Sequence, residues 1–227
     1  MELSRTQMEY EKAIEYIFKM IQNEELKVGS KLPTERSIAE TLNIGRNSTR
    51  EALSILHGMG MIDRVQGSGN YISETTNDAI RQMLIIMLAL GTITKKDVCE
   101  FRRAMEKAVC GLLIEKGISK EYKTLFEEKL DEMYKASADI QTNLDKEFHE
   151  LLMRASDNTL LITIMGAVMT VYREWIDLVI RKADAQAKQK LQIYHEGIYN
   201  GIIRQNPEDV NTFIDKHYDL IEELILL

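Results

Sequence analysis

Apolar residues at Ile14, Ile17, Phe18 and Ile21 recur every three or four positions within residues 8–23, the stripe of an amphipathic helix. Gly29 and Pro33 interrupt the chain in KVGSKLPTERS, where Thr34 stands ready to cap a helix running to about Leu42. NIG (43–45) reads as a tight turn. A further helix is predicted over 46–59, with Ser48 and Glu51 at capping-box spacing and Ala52, Ile55, Leu56 and Met59 as its buried face. MIDRV and NYIS then flank QGSG, two short β-prone runs about a turn, which predicts a hairpin.

From about Glu74 the pattern changes. SETTND (73–78) reads as a polar linker, and helices are predicted at 78–90, 94–116, 119–136, 143–156, 159–182, 184–205 and 207–225. Gly91 and Gly117 sit where helices should stop, and Asn206 before Pro207 is a cap followed by a first-turn proline. The expected fold is therefore mainly α. A winged helix-turn-helix (helix, helix, turn, helix, hairpin) occupies residues 1–75, and an all-α bundle with room for a central pocket occupies 76–227.

In a helix-turn-helix the helix after the turn enters the major groove, led by its N-terminal residues. Arg46 and Arg50 lie four apart at the start of that helix and point broadly away from its predicted buried face. On this reading they face phosphates and base edges and have no carboxylate partners within the chain. A solvated helix start would also place arginines there; the surrounding layout favours DNA.

Charge supports that reading only when it is counted locally. The whole chain has a formal net charge of −7. Between residues 26 and 72, however, Lys27, Lys31, Arg36, Arg46, Arg50 and Arg64 outnumber Glu35, Glu40, Glu51 and Asp63, so a modestly basic island sits in an acidic chain. Cys99 and Cys110 fall on one predicted helix about 16 Å apart, too far for a disulfide. The longest apolar run, MLIIMLAL (83–90), is too short to span a membrane, and the N-terminus lacks the apolar core of a signal peptide. The expectation is a cytoplasmic protein with no membrane partner.

The stretch GSKLPTERSIAETLNIGRNSTREALSILHGMGMI followed by QGSGNYI resembles the GntR family of bacterial transcription regulators. The remainder resembles the FCD effector-binding domain of the FadR-type subgroup, through EFRRAMEKA, DKEFHELLMRASDN, YHEGIYNGIIRQN and DKHYDLIEEL. The resemblance implies that Arg36, Arg46, Asn47 and Arg50 lie at the operator contact, with Gly67 at the wing tip. Two positions depart from the family pattern. Gly45 stands where a serine is usual, and Asn47 where threonine or proline is common.

Three of the four histidines, His149, His195 and His217, fall in the helical region, and Asp145 precedes His149 by four. Taken alone, that spacing also suits a hydrogen-bonded or solvated pair. The resemblance implies more: in many FCD domains an aspartate and three histidines at these places bind one divalent metal in the bundle. Zinc, nickel and manganese all suit such a ligand set. Arg102 matches the family arginine that faces the pocket, where it would hold a small organic acid by a bidentate pair. Its alternative is a surface salt bridge to Glu106, four residues on. His57 reads as a partly exposed packing residue, and Tyr172, Arg173 and Trp175 as lining either the pocket or a helix interface.

Three functional classes follow. One is a metabolite-responsive regulator that binds operator DNA as a homodimer, since one recognition helix reads only a few base pairs; residues 83–90 are a candidate packing or dimer surface. The second is a metal-dependent enzyme with a helical catalytic domain, for which no separate base or nucleophile motif stands out. The third is a helical interaction module with structural histidines. The first, which is not an enzyme, is the expectation.

Overall fold

The computed structural model describes residues 8–73, 77–136 and 138–226. The chain divides into two compact units, Met1–Ile80 and Arg81–Leu227.

In the first unit, α1 (Glu9–Gln22), α2 (Glu35–Leu42) and α3 (Arg46–Gly58) surround a core that includes Ala13, Ile17, Leu32, Ile38, Ala52, Leu53, Leu56 and Ile62. Thr34 caps α2 by accepting from the Ser37 amide at 3.1 Å. Asn43 closes α2 in the left-handed region at φ 50°, which asparagine tolerates better than most residues, and this makes the turn before α3 tight. The buried face of α3 is Thr49, Ala52, Leu53 and Leu56. The expected face is thus turned slightly: Leu53 belongs to it, Ile55 is half-buried and Met59 is exposed, because the helix ends at Gly58 and Met59 only caps it.

The predicted Ser48–Glu51 capping box does not form. Gly45 is the N-cap and offers no side chain, so the carboxylate comes from α1. Glu9 Oε2 accepts from the Gly45 amide at 3.1 Å and from the Ser48 hydroxyl at 2.8 Å. Those two hydrogen bonds hold the Glu9 carboxyl below its ordinary range.

The hairpin pairs β1 (Ile62–Val65) with β2 (Gly69–Ile72) in antiparallel register, Ile62 opposite Ile72 and Val65 opposite Gly69. Its tip contains Gly67 at φ +75°, a left-handed backbone that a side chain would strain. The chain around Lys31 bridges Tyr71 on the other edge of β2. This is a winged helix-turn-helix.

Of the expected linker, residues 74–76 lie outside the described residues. The second unit is built on α4 (Asn77–Ala89), α5 (Lys95–Lys116), α6 (Lys120–Lys135), α7 (Ala138–Ala155), α8 (Thr159–Lys182), α9 (Ala185–Ile203) and α10 (Pro207–Leu226). Local chemistry sets several of the starts. Thr94 and Asp97 form a capping box on α5, Ser119 and Asp184 cap α6 and α9, and Asn206 Oδ1 accepts from the Glu208 and Asp209 amides ahead of α10. α7 begins five residues before the predicted 143, at Ala138.

Two glycines let α9 and α10 approach closely. A Cβ on Gly197 would lie 2.4 Å from the Phe213 ring, and one on Gly201 would lie 2.6 Å from Val210 Cγ2. Arg103 of α5 reaches α10 through Asp219 at 2.7 Å and Glu222 at 3.1 Å. Phe126, Phe148, Met165, Tyr172, Ile198, Ile214 and Tyr218 are among the buried side chains that fill the space between these helices. Cys99 and Cys110 are free and buried, both on α5.

Candidate metal centre and nucleic-acid interface

Four polar side chains converge inside the second unit. Asp145 and His149 project one turn apart from α7, His195 comes from α9 and His217 from α10. Their exposures are 7, 0, 1 and 3 %, so water does not solvate this cluster. Asp145 Oδ1 lies 3.2 Å from His195 Nε2, 3.7 Å from His217 Nε2 and 3.8 Å from His149 Nε2. The Nε2 atoms of His149 and His195 are 3.4 Å apart. One ligand atom from each of the four lies within 4.8 Å of the others.

Metal–nitrogen and metal–oxygen bonds of about 2.0–2.2 Å place neighbouring ligand atoms roughly 3–3.5 Å apart. The donors here are close to that spacing, and they are imidazole and carboxylate groups that suit zinc, nickel or manganese. Asp145 Oδ1 and His217 Nε2 are buried with no well-directed hydrogen bond among the described residues. Such orphaned atoms are costly unless something else satisfies them. The residues present therefore fit a divalent cation.

The electrostatics agree at His195 and His217. Burial depresses His217 to about 4 and lowers His195, so both rings are neutral lone-pair donors at ordinary pH. Burial also opposes the Asp145 charge, but the facing histidines, His149 first among them, outweigh it and hold the carboxyl well below its usual range. His149 is likewise pulled down by burial, yet the Glu106 and Asp145 carboxylates hold it above the ordinary histidine value.

Arg102 lies against this cluster, 5 % exposed on α5. Its guanidinium carbon sits 4.3 Å from the Tyr172 ring centre and 5.6 Å from that of Tyr218. The i,i+4 pair with Glu106 does form, at 3.4 Å, but in the interior and not on the surface. Sequence spacing alone gives no sign of this, because burial depends on what α8 and α10 bring over α5. A narrow cleft of about 20 Å³, lined in part by Arg102, Asp145, Tyr172 and Arg173, reaches the cluster. Trp175 packs edge-on to Tyr172 and lies under Lys95.

Glu106 is the residue that sequence reasoning undervalued. It appeared there only as a surface partner, whereas it is completely buried. Oε1 accepts from the Tyr218 hydroxyl at 2.6 Å, and Oε2 lies 3.0 Å from His149 Nδ1. Burial opposes its ionisation, but the charges of His149 and Arg102 and the Tyr218 hydrogen bond outweigh it and bring the carboxyl to about 2.

On the first unit, Arg36, Arg46, Asn47, Arg50 and Gly67 are all exposed. The expectation that the paired arginines lack carboxylate partners fails at Arg50, whose Nη2 lies 3.0 Å from Glu35 Oε2 across the turn. Arg36 pairs with Glu40 at 2.7 Å. Arg46 has no ion pair among the described residues. His57 is exposed, with Nδ1 2.9 Å from the Ile62 carbonyl oxygen.

Residues 9–72 match the family described as bacterial regulatory proteins, gntR family, and residues 97–220 match the FCD domain. The chain belongs to the GntR family. Within it, the FCD domain marks the FadR-type subgroup, and the chain is a transcription regulator. It is 31 % identical to the HTH-type transcriptional regulator LutR of Bacillus subtilis over 91 % of this chain and 96 % of that one. It is 30 % identical, over 67 % of this chain and 60 % of the other, to an Escherichia coli protein named as a candidate L-lactate dehydrogenase operon regulatory protein. A solved structure of Streptococcus agalactiae GntR has the same fold, with a TM-score of 0.68 at 24 % identity, covering 94 % of this chain and 99 % of that one. The family match and the sequence relatives favour the regulator over the enzyme. No helix among the described residues is long and apolar enough to cross a membrane.

Proposed function

We propose that this regulator binds operator DNA as a homodimer and answers to a small organic acid held at a metal-containing centre. Residues 1–75 are assigned to DNA and residues 76–227 to the effector and the dimer; the cytoplasm, where operator DNA lies, is its assigned location. Arg36, Arg46, Asn47 and Arg50 are given the operator contacts, with Gly67 at the tip of the wing. Asp145, His149, His195 and His217 would hold one divalent ion, zinc, nickel or manganese. Bound there, the ion would supply positive charge and open coordination positions to a carboxylate. Arg102, fixed over Tyr172, is given the other end of that anion. The observation that carries the reading is the convergence of Asp145 Oδ1 with three Nε2 atoms from α7, α9 and α10.

The E. coli relative named for an L-lactate dehydrogenase operon makes L-lactate the first effector to try. On α4, Leu84 and Leu88 pack on the second core, while Met83, Ile85 and Ile86, with Leu90 just past its end, are exposed. Exposed apolar residues on one short helix suit a two-fold contact with a second copy.

Ligands drawn from three helices should tie them together, so stripping the metal with a chelator should lower the melting temperature. Saturation at 100 times Kd corresponds to about 2.7 kcal/mol. His149→Ala or His195→Ala should lose the metal and the effector response yet keep basal operator binding. The assignment is wrong if purified protein carries no metal and zinc, nickel and manganese all leave its melting curve unmoved.

A further inference from the structure

Glu106 belongs to none of the roles assigned above, yet it is the most heavily engaged buried carboxylate beside the centre. Three elements meet on it. His149 of α7 places Nδ1 3.0 Å from Oε2, an ion-pair distance at which the ring N–H is not aligned for a hydrogen bond, and Tyr218 of α10 donates its hydroxyl to Oε1 at 2.6 Å. Arg102, one turn back on α5, donates to the same Oε1 at 3.4 Å. Every group facing Glu106 is thus a donor or becomes one when Nδ1 carries the ring proton. Burial pushes the Tyr218 hydroxyl well up, so it stays protonated and can only donate here.

We propose that Glu106 is a positioning residue for the metal centre: its carboxylate holds the His149 proton on Nδ1 and thereby turns the Nε2 lone pair toward Asp145 and His195. The inference rests on the metal reading given above. Its physical basis is that a neutral imidazole has one N–H and one lone pair, and the partner of the N–H decides which nitrogen is free. With Oε2 against Nδ1, the free nitrogen is Nε2, the atom that faces Asp145 Oδ1 and His195 Nε2. An ionised carboxylate can serve all three neighbours because it only accepts. Glutamine has the same shape but a single acceptor oxygen. If its oxygen faces His149, its NH₂ confronts Arg102; if its NH₂ faces His149, the ring proton is driven to Nε2 and the lone pair is lost to the centre.

The test is zinc affinity of the full chain, measured by competition with a chromophoric chelator, for the wild type and Glu106→Gln. The expected result is a 10–100-fold weaker zinc affinity in the variant, the range typical of an outer partner of a metal-bound histidine. Zinc should also raise the variant's melting temperature less than the wild type's. A purely structural role would lower both the metal-free and zinc-loaded melting temperatures equally and leave zinc affinity within twofold, and that result overturns the proposal. Should Glu106→Gln not fold, nitrogen-15 NMR of the zinc-loaded wild type decides. A proton on His149 Nδ1 supports the assignment, and one on Nε2 refutes it. A wild type that takes up no zinc refutes the metal reading itself and this inference with it, an outcome distinct from a wild type that binds zinc as tightly as its variant.

Discussion

Arg50 is bridged to Glu35, and both side chains are substantially exposed, so the pair contributes little to stability. For the proposed operator contact, a guanidinium held across the turn is preorganised, and it would leave Glu35 or share it on meeting a base or phosphate. Arg50→Ala should weaken specific operator binding by about 1–3 kcal/mol if the side chain reads a base, with no loss of fold. A gel shift on a verified operator checks it; unchanged binding removes Arg50 from the interface. Protonation at the buried centre gives a second prediction. Burial brings His217 from its ordinary 6.5 to about 4 in the fold. Between those values the unfolded chain takes up a proton that the folded chain refuses. The stabilising contribution is therefore complete above about pH 6.5 and is lost as pH falls toward 4. His195, lowered by burial, acts in the same direction. His149, raised by its carboxylate neighbours, acts oppositely, its contribution fading as pH rises through its folded value. Thermal melts of chelator-treated protein should show a decline between pH 6.5 and 4 that flattens in His217→Asn; an equal slope in the variant assigns the decline elsewhere.

Among the helices, α9 and α10 must approach closely for His195 and His217 to share one centre. Gly197 makes room for the Phe213 ring, and those two positions lie two residues after His195 and four before His217. A methyl at Gly197 would press into the ring at 2.4 Å, at Cγ and not at a flexible tip. Gly197→Ala should cost about 1–3 kcal/mol in denaturant unfolding, the usual scale of overpacking. It should also weaken zinc binding, because the two helices must separate or slide. A variant as stable and as zinc-tight as the wild type would show that this close approach does not hold the centre together. At the other end of the chain, Glu9 of α1 supplies the cap that Gly45 lacks at the start of α3. Its carboxylate also complements the positive end of the helix dipole.

The whole molecule combines an exposed set of arginines in one unit with a buried polar centre in the other, and the proposed effector control would use both. Two half-sites on DNA call for two copies of the chain. Ile86, on the exposed side of α4, is a suitable position to test the proposed contact because it is not part of the second core. Ile86→Asp should shift a dimer toward monomer in light scattering and weaken operator binding by about 100-fold or more, the scale of avidity lost when two linked sites become one. A variant that stays dimeric places the interface elsewhere. A wild type that is monomeric and still binds its operator tightly rules out the homodimer.

Local and periodic features were legible from sequence. Helix stripes, the Thr34 cap, the Asn206–Pro207 start and the glycine at the hairpin tip all act through neighbours within a few residues, so the order of residues was enough to place them. The Asp145–His149 spacing was legible for the same reason, being one helical turn. What periodicity cannot encode is which distant side chain arrives opposite. Glu9 reaching Gly45, Glu35 reaching Arg50, Tyr218 reaching Glu106 and Glu106 reaching His149 all depend on how helices pack. Burial was decided in the same way: Arg102 and Glu106 form an ordinary i,i+4 pair in sequence. They became an interior ion pair only because Tyr172 of α8 and Tyr218 of α10 cover them, and a low-dielectric surrounding turns that commonplace pair into part of a polar centre.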